Sequence, residues 1–478
     1  MIYTTIPYQH QKDALTEAWQ KPGFAFFLEQ GTGKSKIIVD EIVNLIEQDQ
    51  INCAVIIAPN QVHENWKEQF EIHGPAEYNR WTIQVYKSYG SSPRAKKQEE
   101  TTRNIIQSGK VLIFLMNIES LSARSGQDYL RRVVQARRHL YLAVDESHKI
   151  KTPGAVRTKI LLEASKWAKY RRIATGTEAQ EGLEDLFSQL KFLDPNITGH
   201  RSFTSYRSMF CIIQTYMGYP QIIGYHNQEV LAQRMAPYVY QKRKKDCLDL
   251  PDKVYVTHNL ELTKEQATIY NELEEELIHQ IDDKTIVDTT QALVRVLRLQ
   301  QVLCGHISAE GKTKFIDSNR AKFVSELVQE ASGKSIVFCR FLNDVDLVTN
   351  QLSEDKIQSV GITGRVVDRL SQINLWRNDP KIKALVMTIQ TGGTGLTLNE
   401  ASSTIYYSND WSSTNRLQSE DRNHRIGQVN KVTYHDLITP GRVDERLLKA
   451  LRAKDKSAME FRSVVDVKKF LLNGGSDV

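Results

Sequence analysis

Three short stretches carry residue types suited to phosphate chemistry. In "FFLEQGTGKSK", Gly31, Gly33, Lys34 and Ser35 follow an apolar run and precede a helical pattern. Glycines there let backbone N–H groups curl around a β-phosphate, and the helix start adds positive potential. In that reading Lys34 reaches the β- and γ-phosphates and the Ser35 hydroxyl holds Mg²⁺. Leu28 stands where the strict phosphate-loop pattern has its first glycine, and the bland alternative is a glycine-rich turn capping a helix. In "LYLAVDESHK", Asp145 and Glu146 emerge at the end of an apolar run, the edge at which open α/β sheets bind ligands. Asp145 would hold Mg²⁺ through water and Glu146 would polarise an attacking water. An acidic pair at a strand end is otherwise a cap or a turn. A phosphate loop followed by an acidic strand end is the two-part signature of an NTPase.

The third stretch is "QSEDRNHRIGQ", residues 418–428. Taken as a helix, Gln418, Asp421, Arg422 and Arg425 fall at i, i+3, i+4 and i+7 on one face. Gly427 then suits the left-handed position that ends a helix. Read alone, this face is either a surface ion-pair stripe using Glu420 or Asp421, or a pair of cations aimed at a ligand. A further turn, "IATGTEAQ", places Thr175 and Thr177 around Gly176. Their hydroxyls could link Glu146 and His148 to a far lobe of the chain, or belong to an ordinary strand-to-helix turn.

These residues need rigid elements to position them. "CAVIIAP" (53–59), "VLIFLM" (111–116), "LYLAVDE" (140–146) and "RRIATGT" (171–177) read as buried parallel strands. The stretches 36–48 and 61–72 read as helices between them. The texture returns in "SIVFCRF" (335–341), "ALVMTIQ" (384–390), "STIYYSND" (403–410) and "VTYHDLIT" (432–439). Two α/β lobes follow, each a parallel sheet covered by helices on both faces. Apolar strand runs thin out between about 196 and 310, where 263–281 reads as a long amphipathic helix. The expected division is a first lobe over 1–195, a helical insertion and linker over 196–310, a second lobe over 311–445 and a helical extension over 446–478.

Composition narrows the class. A chain of 478 residues is too long for one ordinary core, and length alone suggests about two to four domains. Hydrophobic content of 40% and charged content of 25% are those of a water-soluble globular protein. No apolar run is long enough for a membrane span, and the first residues lack a secretory pattern. The five cysteines are isolated, which speaks against a zinc site or disulfide framework and for a reducing interior. The expected location is cytoplasmic, in a bacterium or a virus-infected cell. The net charge of +6 is mildly basic and compatible with nucleic acid.

In this order the pieces resemble the Swi/Snf (Snf-two) family of helicase-like ATPases, within helicase superfamily two, and the resemblance spans nearly the whole chain. "PYQHQKDALTEAW" (7–19) is similar to the adenine-reading Q motif, with Gln11 the best match and Gln9 close by. "LEQGTGKSK" looks like motif I, "VIIAPNQVHENWKEQF" like motif Ia and "DESHKIK" like motif II, with Ser147 where alanine is usual. "TGTEAQEGLEDLFSQLKFLDP" resembles motif III, with Glu178 in place of proline. The middle resembles this family in its basic run "QKRKKD", its Leu250-Pro251-x-Lys253 turn and its "LRLQQVLCGH" helix. "SIVFCRF" is similar to motif IV, and "TGGTGLTLNE" through "RIGQ" to motifs V and VI, with an Asp410-Trp411 pair.

The resemblance implies two RecA-like lobes and an ATP-driven DNA translocase, the alternative being a strand-separating DNA or RNA helicase. It implies ATP and Mg²⁺ as cofactors and double-stranded or branched DNA as partner. Lys34, Asp145, Glu146, Arg422 and Arg425 would be catalytic, the two arginines acting as fingers on the γ-phosphate. Gln11, Gly31, Thr32, Gly33, Lys34, Ser35, Gly395 and Gln418 would bind nucleotide, and Ser35 and Asp145 the metal. Asn60, Gln61, Asn117, Arg340, Thr391 and Gly392 would touch the nucleic-acid backbone, to which "SPRAKKQ" (92–98) and "QKRKKD" (241–246) could add contacts. Trp411 either stacks on a ligand or packs. With no room for chromatin-reading domains, the expected role is genome maintenance in a bacterium or virus: repair, recombination or replication.

Overall fold

The structure is a computed structural model. It describes the chain apart from residues 60–62, 76–79, 90–91, 137–138, 177–181, 217–218, 284, 286–287, 310, 367, 393–395, 454–463 and 474–478. The chain divides into two compact units, Met1–Asp249 and Leu250–Val478. The expected middle segment, 196–310, is therefore shared between them.

The first unit holds a seven-stranded sheet built from β1 (Gly23–Leu28), β2 (Cys53–Ala58), β3 (Trp81–Val85), β4 (Val111–Asn117), β5 (Leu140–Asp145), β6 (Ala168–Thr175) and β9 (Val239–Lys242). Its spatial order is β3-β4-β2-β5-β6-β1-β9, with every pairing parallel. Alternate residues enter opposite cores. Ala25, Val55, Phe114 and Leu142 pack on one face, and Phe26, Ile56, Leu115 and Ala143 on the other. Burial on both faces is why these strands read as continuous apolar runs. Between β6 and β9 a separate antiparallel hairpin, β7 (Cys211–Tyr216) with β8 (Tyr219–Tyr225), interrupts what the sequence suggested was helical.

The second unit holds a six-stranded parallel sheet of β10 (Lys253–Asn259), β13 (Lys334–Cys339), β14 (Gln358–Ile362), β15 (Ile382–Thr388), β16 (Ala401–Tyr406) and β17 (Val432–Ile438). The order is β10-β17-β16-β13-β15-β14. A short hairpin, β11 (His306–Ala309) with β12 (Lys312–Phe315), stands apart from it. Again the faces alternate, with Ile336 and Phe338 in one core and Val337 and Cys339 in the other. The long helix expected over 263–281 spans Lys264–Asp282 and packs on Thr289–Leu303 in a third core. Each unit is an α/β lobe built on a parallel sheet.

The eight expected strands are present. Edge strands were the ones not foreseen. β3, β10 and β14 are partly exposed and carry no continuous apolar run, and β9 overlaps the start of the basic stretch. Among the described residues no helix is long and apolar enough to cross a membrane. All five cysteines are unbridged.

Candidate nucleotide site

Parallel register brings the first two chemical stretches to one sheet edge. β5 pairs with β6 and β6 with β1, so Asp145 lies beside Ala174 and Thr175 beside Phe27. The loop after β1 and the acidic pair after β5 therefore emerge at the same carboxyl end. The Gly176 backbone passes close to that loop. A Cβ there would lie 3.1 Å from the Gln30 nitrogen and 3.2 Å from the Leu28 oxygen.

The loop has the shape its glycines permit. Gly31 and Gly33 have φ of 79° and 87°, a region that favours glycine. Gly33 is the N-cap of helix α2, Lys34–Glu47, whose first turn no side chain caps. Its leading N–H groups and its dipole suit an anion. The Lys34 ammonium donates to the Leu28 oxygen at 2.8 Å and the Glu29 oxygen at 3.3 Å. The loop is braced from helix α1, Gln9–Ala18. His10 Nε2 and Gln11 Nε2 meet the Thr32 carbonyl at 2.8 and 3.0 Å, and Gln11 Oε1 accepts from the Tyr8 N–H at 3.0 Å. Both ends of the Gln11 amide are thus used within the protein.

Asp145 accepts from Trp66 Nε1 at 3.1 Å and from the Glu146 N–H at 3.0 Å. Burial raises its pKa to about 6, Glu146 adds to the rise, and Lys34, Trp66 and the Glu146 amide oppose it. Its contact with Trp66 escaped sequence reading. The available signal was a tryptophan among the charged residues of the helix His63–His73, whose indole N–H needs a partner once buried. Glu146 has φ 51° and ψ 54°, rare for a side chain with a Cβ and concentrated at functional sites. Its carboxylate is approached by His148 Nδ1 at 3.3 Å, Gln30 Nε2 at 3.4 Å and Thr175 Oγ1 at 3.5 Å. Thr175 and His148 also meet at 3.3 Å within the first unit, while Thr177 and Glu178 lie outside the described residues.

The donors fit a nucleotide with its metal. Lys34 and the uncapped helix start match phosphate. Ser35 and Asp145 supply two oxygens, the small protein share usual for Mg²⁺ bound with phosphate and water. Among the described residues, no cluster of three or more His, Cys, Asp or Glu side chains could hold a metal by itself.

The third stretch departs from its expected form. The helix runs Ser413–Glu420 and ends before the arginines, so Gln418, Asp421, Arg422 and Arg425 do not share one helical face. Ser412 caps its start, and residues 421–428 continue as turns bound to the chain before β16. Leu398 N–H donates to the Arg422 oxygen at 2.8 Å, and Gln428 Nε2 to the Asn399 and Ala401 oxygens. Asn423 Nδ2 donates to the Thr404 hydroxyl at 2.7 Å. Gly427 is left-handed, φ 93°, but in this later turn rather than at the helix end. The turns still bring the arginines together, for each donates through Nη1 to the Leu396 oxygen at 3.4 Å. Burial lowers the Arg425 pKa, with Asp421 opposing. Glu420 does not serve them; it binds Arg416, Lys253 and Tyr255. The bland alternative of a surface stripe pairing the arginines with Glu420 is therefore not formed among the described residues.

Several residues expected at nucleic acid are engaged inside their unit. Arg340 donates to Asp410 at 2.6 Å, the Asn117 amide oxygen accepts from the Ser120 N–H, and the Thr391 hydroxyl meets that of Thr388 at 2.7 Å. Trp411 packs against Phe470 and donates to Gln300. Gly392 closes the short helix Ile389–Gly392, whereas Asn60, Gln61 and Gly395 lie outside the described residues. In the basic runs Lys244 is buried, but Lys242, Arg243, Lys245, Arg94, Lys96 and Lys97 are exposed.

With this geometry in place, comparison with known proteins is informative. Residues 10–308 match the family model described as SNF2-related domain, and residues 319–427 match the helicase conserved C-terminal domain. The DNA annealing helicase and endonuclease ZRANB3 of Bos taurus is 26% identical over 93% of this chain and 39% of its own length. The uncharacterized ATP-dependent helicase MG018 of Mycoplasma genitalium is 23% identical over 90% of this chain and 39% of its own. The chain thus spans about two fifths of the length of these relatives. The solved Sulfolobus solfataricus SWI2/SNF2 ATPase core in complex with dsDNA is 21% identical and covers 98% of this chain and 94% of its own, with a TM-score of 0.41. So loose a superposition fixes no geometry here. The first family model alone covers well over half of the sequence, and the chain belongs to the SNF2-related family of helicase-like, ATP-hydrolysing enzymes.

Proposed function

We propose that the chain hydrolyses ATP in a DNA-stimulated cycle and uses the energy to move along double-stranded or branched DNA. The observation that carries this reading is the meeting, at one sheet edge, of a left-handed glycine loop, the Lys34 ammonium, the buried Asp145 and its half-buried neighbour Glu146. Gly31, Thr32, Gly33 and the first turn of α2 would cradle the β-phosphate. Lys34 would leave the Leu28 and Glu29 carbonyls for the β- and γ-phosphates. Ser35 and Asp145 would hold Mg²⁺, which neutralises charge developing on the phosphoryl group when bound. Glu146, with Gln30, Thr175 and His148 around it, would orient the attacking water. Arg422 and Arg425 take the γ-phosphate charge, for which a planar, permanently charged guanidinium is suited. Gln418 and Gly395 remain proposed nucleotide contacts. A C-terminal extension over 446–478 remains part of the proposed division into domains.

For DNA, similarity to ZRANB3, a DNA annealing helicase and endonuclease, supports the reading. Contacts to the phosphate backbone suffice for a motor that reads no sequence. The exposed cations Lys242, Arg243, Lys245, Arg94, Lys96 and Lys97 are better placed to supply them than Arg340, Asn117 or Thr391, which are engaged internally. Asn60, Gln61 and Gly392 stay as proposed contacts. A role in repair, recombination or replication is the natural setting for such a motor. Relatives of the chain are found mostly in eukaryotes, and they give a bacterial or viral source no support.

Displacement of streptavidin from a biotinylated duplex, run beside an unwinding assay on forked DNA, tests the reading. ATP-dependent displacement without strand separation is expected. Unwinding as fast as displacement would favour a strand-separating helicase, and neither activity would contradict movement on DNA.

A further inference from the structure

Residues 211–225 of the first unit contain no Asp, Glu, Lys, Arg or His, in a chain where 25% of residues are charged. They form the β7–β8 hairpin, whose strands pair with each other and, among the described residues, with no other strand. Isoleucines stand out of it into solvent: Ile212 is 43% exposed, Ile213 41% and Ile223 60%. Ile212, Ile213, Gln214 and Thr215 are exposed in succession, and successive side chains of a strand point to opposite faces, so β7 is covered on neither. An isolated two-stranded hairpin is marginal in water, and natural sheet edges are guarded by charge, proline or a bulge. The two edges here differ. On β8, Pro220 has no N–H to offer, and the register slips so that Ile223 is an extra residue between Ile222 and Gly224. On β7, Cys211–Tyr216, there is no proline, no extra residue and no charge. One edge is guarded and the other is open.

We propose that the β7 edge is an interface between two copies of this chain, pairing antiparallel with itself across a two-fold axis. Neutrality selects the occupant. A nucleic acid or other polyanion needs cations, and 211–225 supply none. A strand that meets its own copy needs the opposite, an edge with no charge to repel its equivalent. Antiparallel self-pairing keeps each face of the sheet continuous, so only residues of the same face meet. Centring the axis on Ile213 sets that residue against its equivalent and Ile212 against Gln214 of the second copy. The result is a four-stranded sheet in the order β8-β7-β7-β8. It closes at two copies because both of its outer edges are the guarded ones. Each hairpin gains the further strands that it lacks alone. Two short strands bury little area, so the pair is a weak one that forms in the micromolar range.

Analytical ultracentrifugation of the full chain over a concentration series tests this. The wild type should pass from monomer to dimer and stop there. Ile213→Lys sets two ammonium groups face to face and removes two buried isoleucines. It should raise the dissociation constant on the order of a hundredfold, and so should Ile213→Glu. Mixed, the two variants should form the dimer that neither forms alone, because opposite charges then meet. Both should keep wild-type ATP turnover, which shows that they fold, since the hairpin lies outside the nucleotide site. Ile213→Cys should give a covalent dimer under mild oxidation, because directly opposed residues of antiparallel strands have Cα atoms about 4.5–5.5 Å apart, within disulfide reach. A wild type that stays monomeric up to about 100 µM, beyond the range of a specific pair, would overturn the proposal. An Ile213→Lys dimer as tight as the wild type would overturn it too, by placing the interface on another face. Growth beyond two copies would contradict the guarded outer edges, and failure of Ile213→Cys to crosslink would contradict the axis at Ile213.

Discussion

Residue types were legible where chemistry allows few substitutes. A lysine after a glycine loop and an acidic pair at the end of an apolar run have restricted uses, and parallel register brought them together. Lys34→Ala removes the ammonium that phosphate would draw off the Leu28 and Glu29 carbonyls. It is expected to abolish ATP turnover while leaving the far-UV circular dichroism spectrum unchanged; retained turnover would exclude Lys34 from the chemistry. Cationic residues were less legible, because an arginine serves an internal carboxylate as readily as a phosphate. Arg340 is held by Asp410, and Arg416 by Asp436 and Glu420, in a network no spacing announced. Arg172 is a second case. Fully buried, it meets the equally buried Glu41 and so fastens β6 to α2, the helix that carries the phosphate loop. Arg172→Met leaves Glu41 buried with Tyr141 as its one remaining side-chain donor among the described residues. The expected cost is roughly 3–5 kcal/mol of stability, read by urea unfolding. A loss below about 1 kcal/mol would mean the carboxylate escapes to water or protonates cheaply.

At the scale of elements, central strands were readable because both faces are buried, and edge strands were not because they are half-exposed. β10 illustrates the difference. It pairs with β17 over Lys253–Asn259 and is fastened there by stacked imidazoles, with His258 Nε2 and His435 Nδ1 2.9 Å apart. Burial pushes the His435 pKa down to about 4, His258 pushes the same way and Asp436 opposes; burial also lowers His258, against Asp436 and Glu330. Phe323 packs edge-on against His258. For a histidine with a depressed pKa the stability it contributes is complete above the unfolded value of about 6.5 and is lost as pH falls through about 4. The melting temperature should therefore fall across that window. His435→Gln, which keeps a hydrogen-bonding group and removes the proton site, should fall less. The same slope in both proteins would place the acid lability elsewhere. The motif VI stretch shows the opposite kind of misreading. Its charge spacing suggested one helical face, yet Asn423 and Gln428 bind β16 and the chain just before it and draw residues 421–428 into turns. Such long-range side-chain contacts leave no periodic trace, so the pairing of Arg422 with Arg425 was legible and its backbone was not.

For the whole molecule, the residues assigned to one reaction are divided between two separately compact units, the phosphate loop and acidic pair in Met1–Asp249 and the two arginines in Leu250–Val478. Neither unit carries the full set. Arg425→Ala is thus expected to leave ATP affinity within about threefold, since most phosphate contacts are assigned to the first unit. The same variant should lose on the order of 10³ in turnover, the scale of a missing arginine finger. The central claim, that DNA engagement drives ATP hydrolysis by this chain, is tested most directly by the steady-state ATPase rate of the wild type with and without duplex DNA. The account predicts a rate that rises severalfold or more with saturating duplex and that returns to background in Arg425→Ala. A wild-type rate that is the same with and without DNA would contradict it.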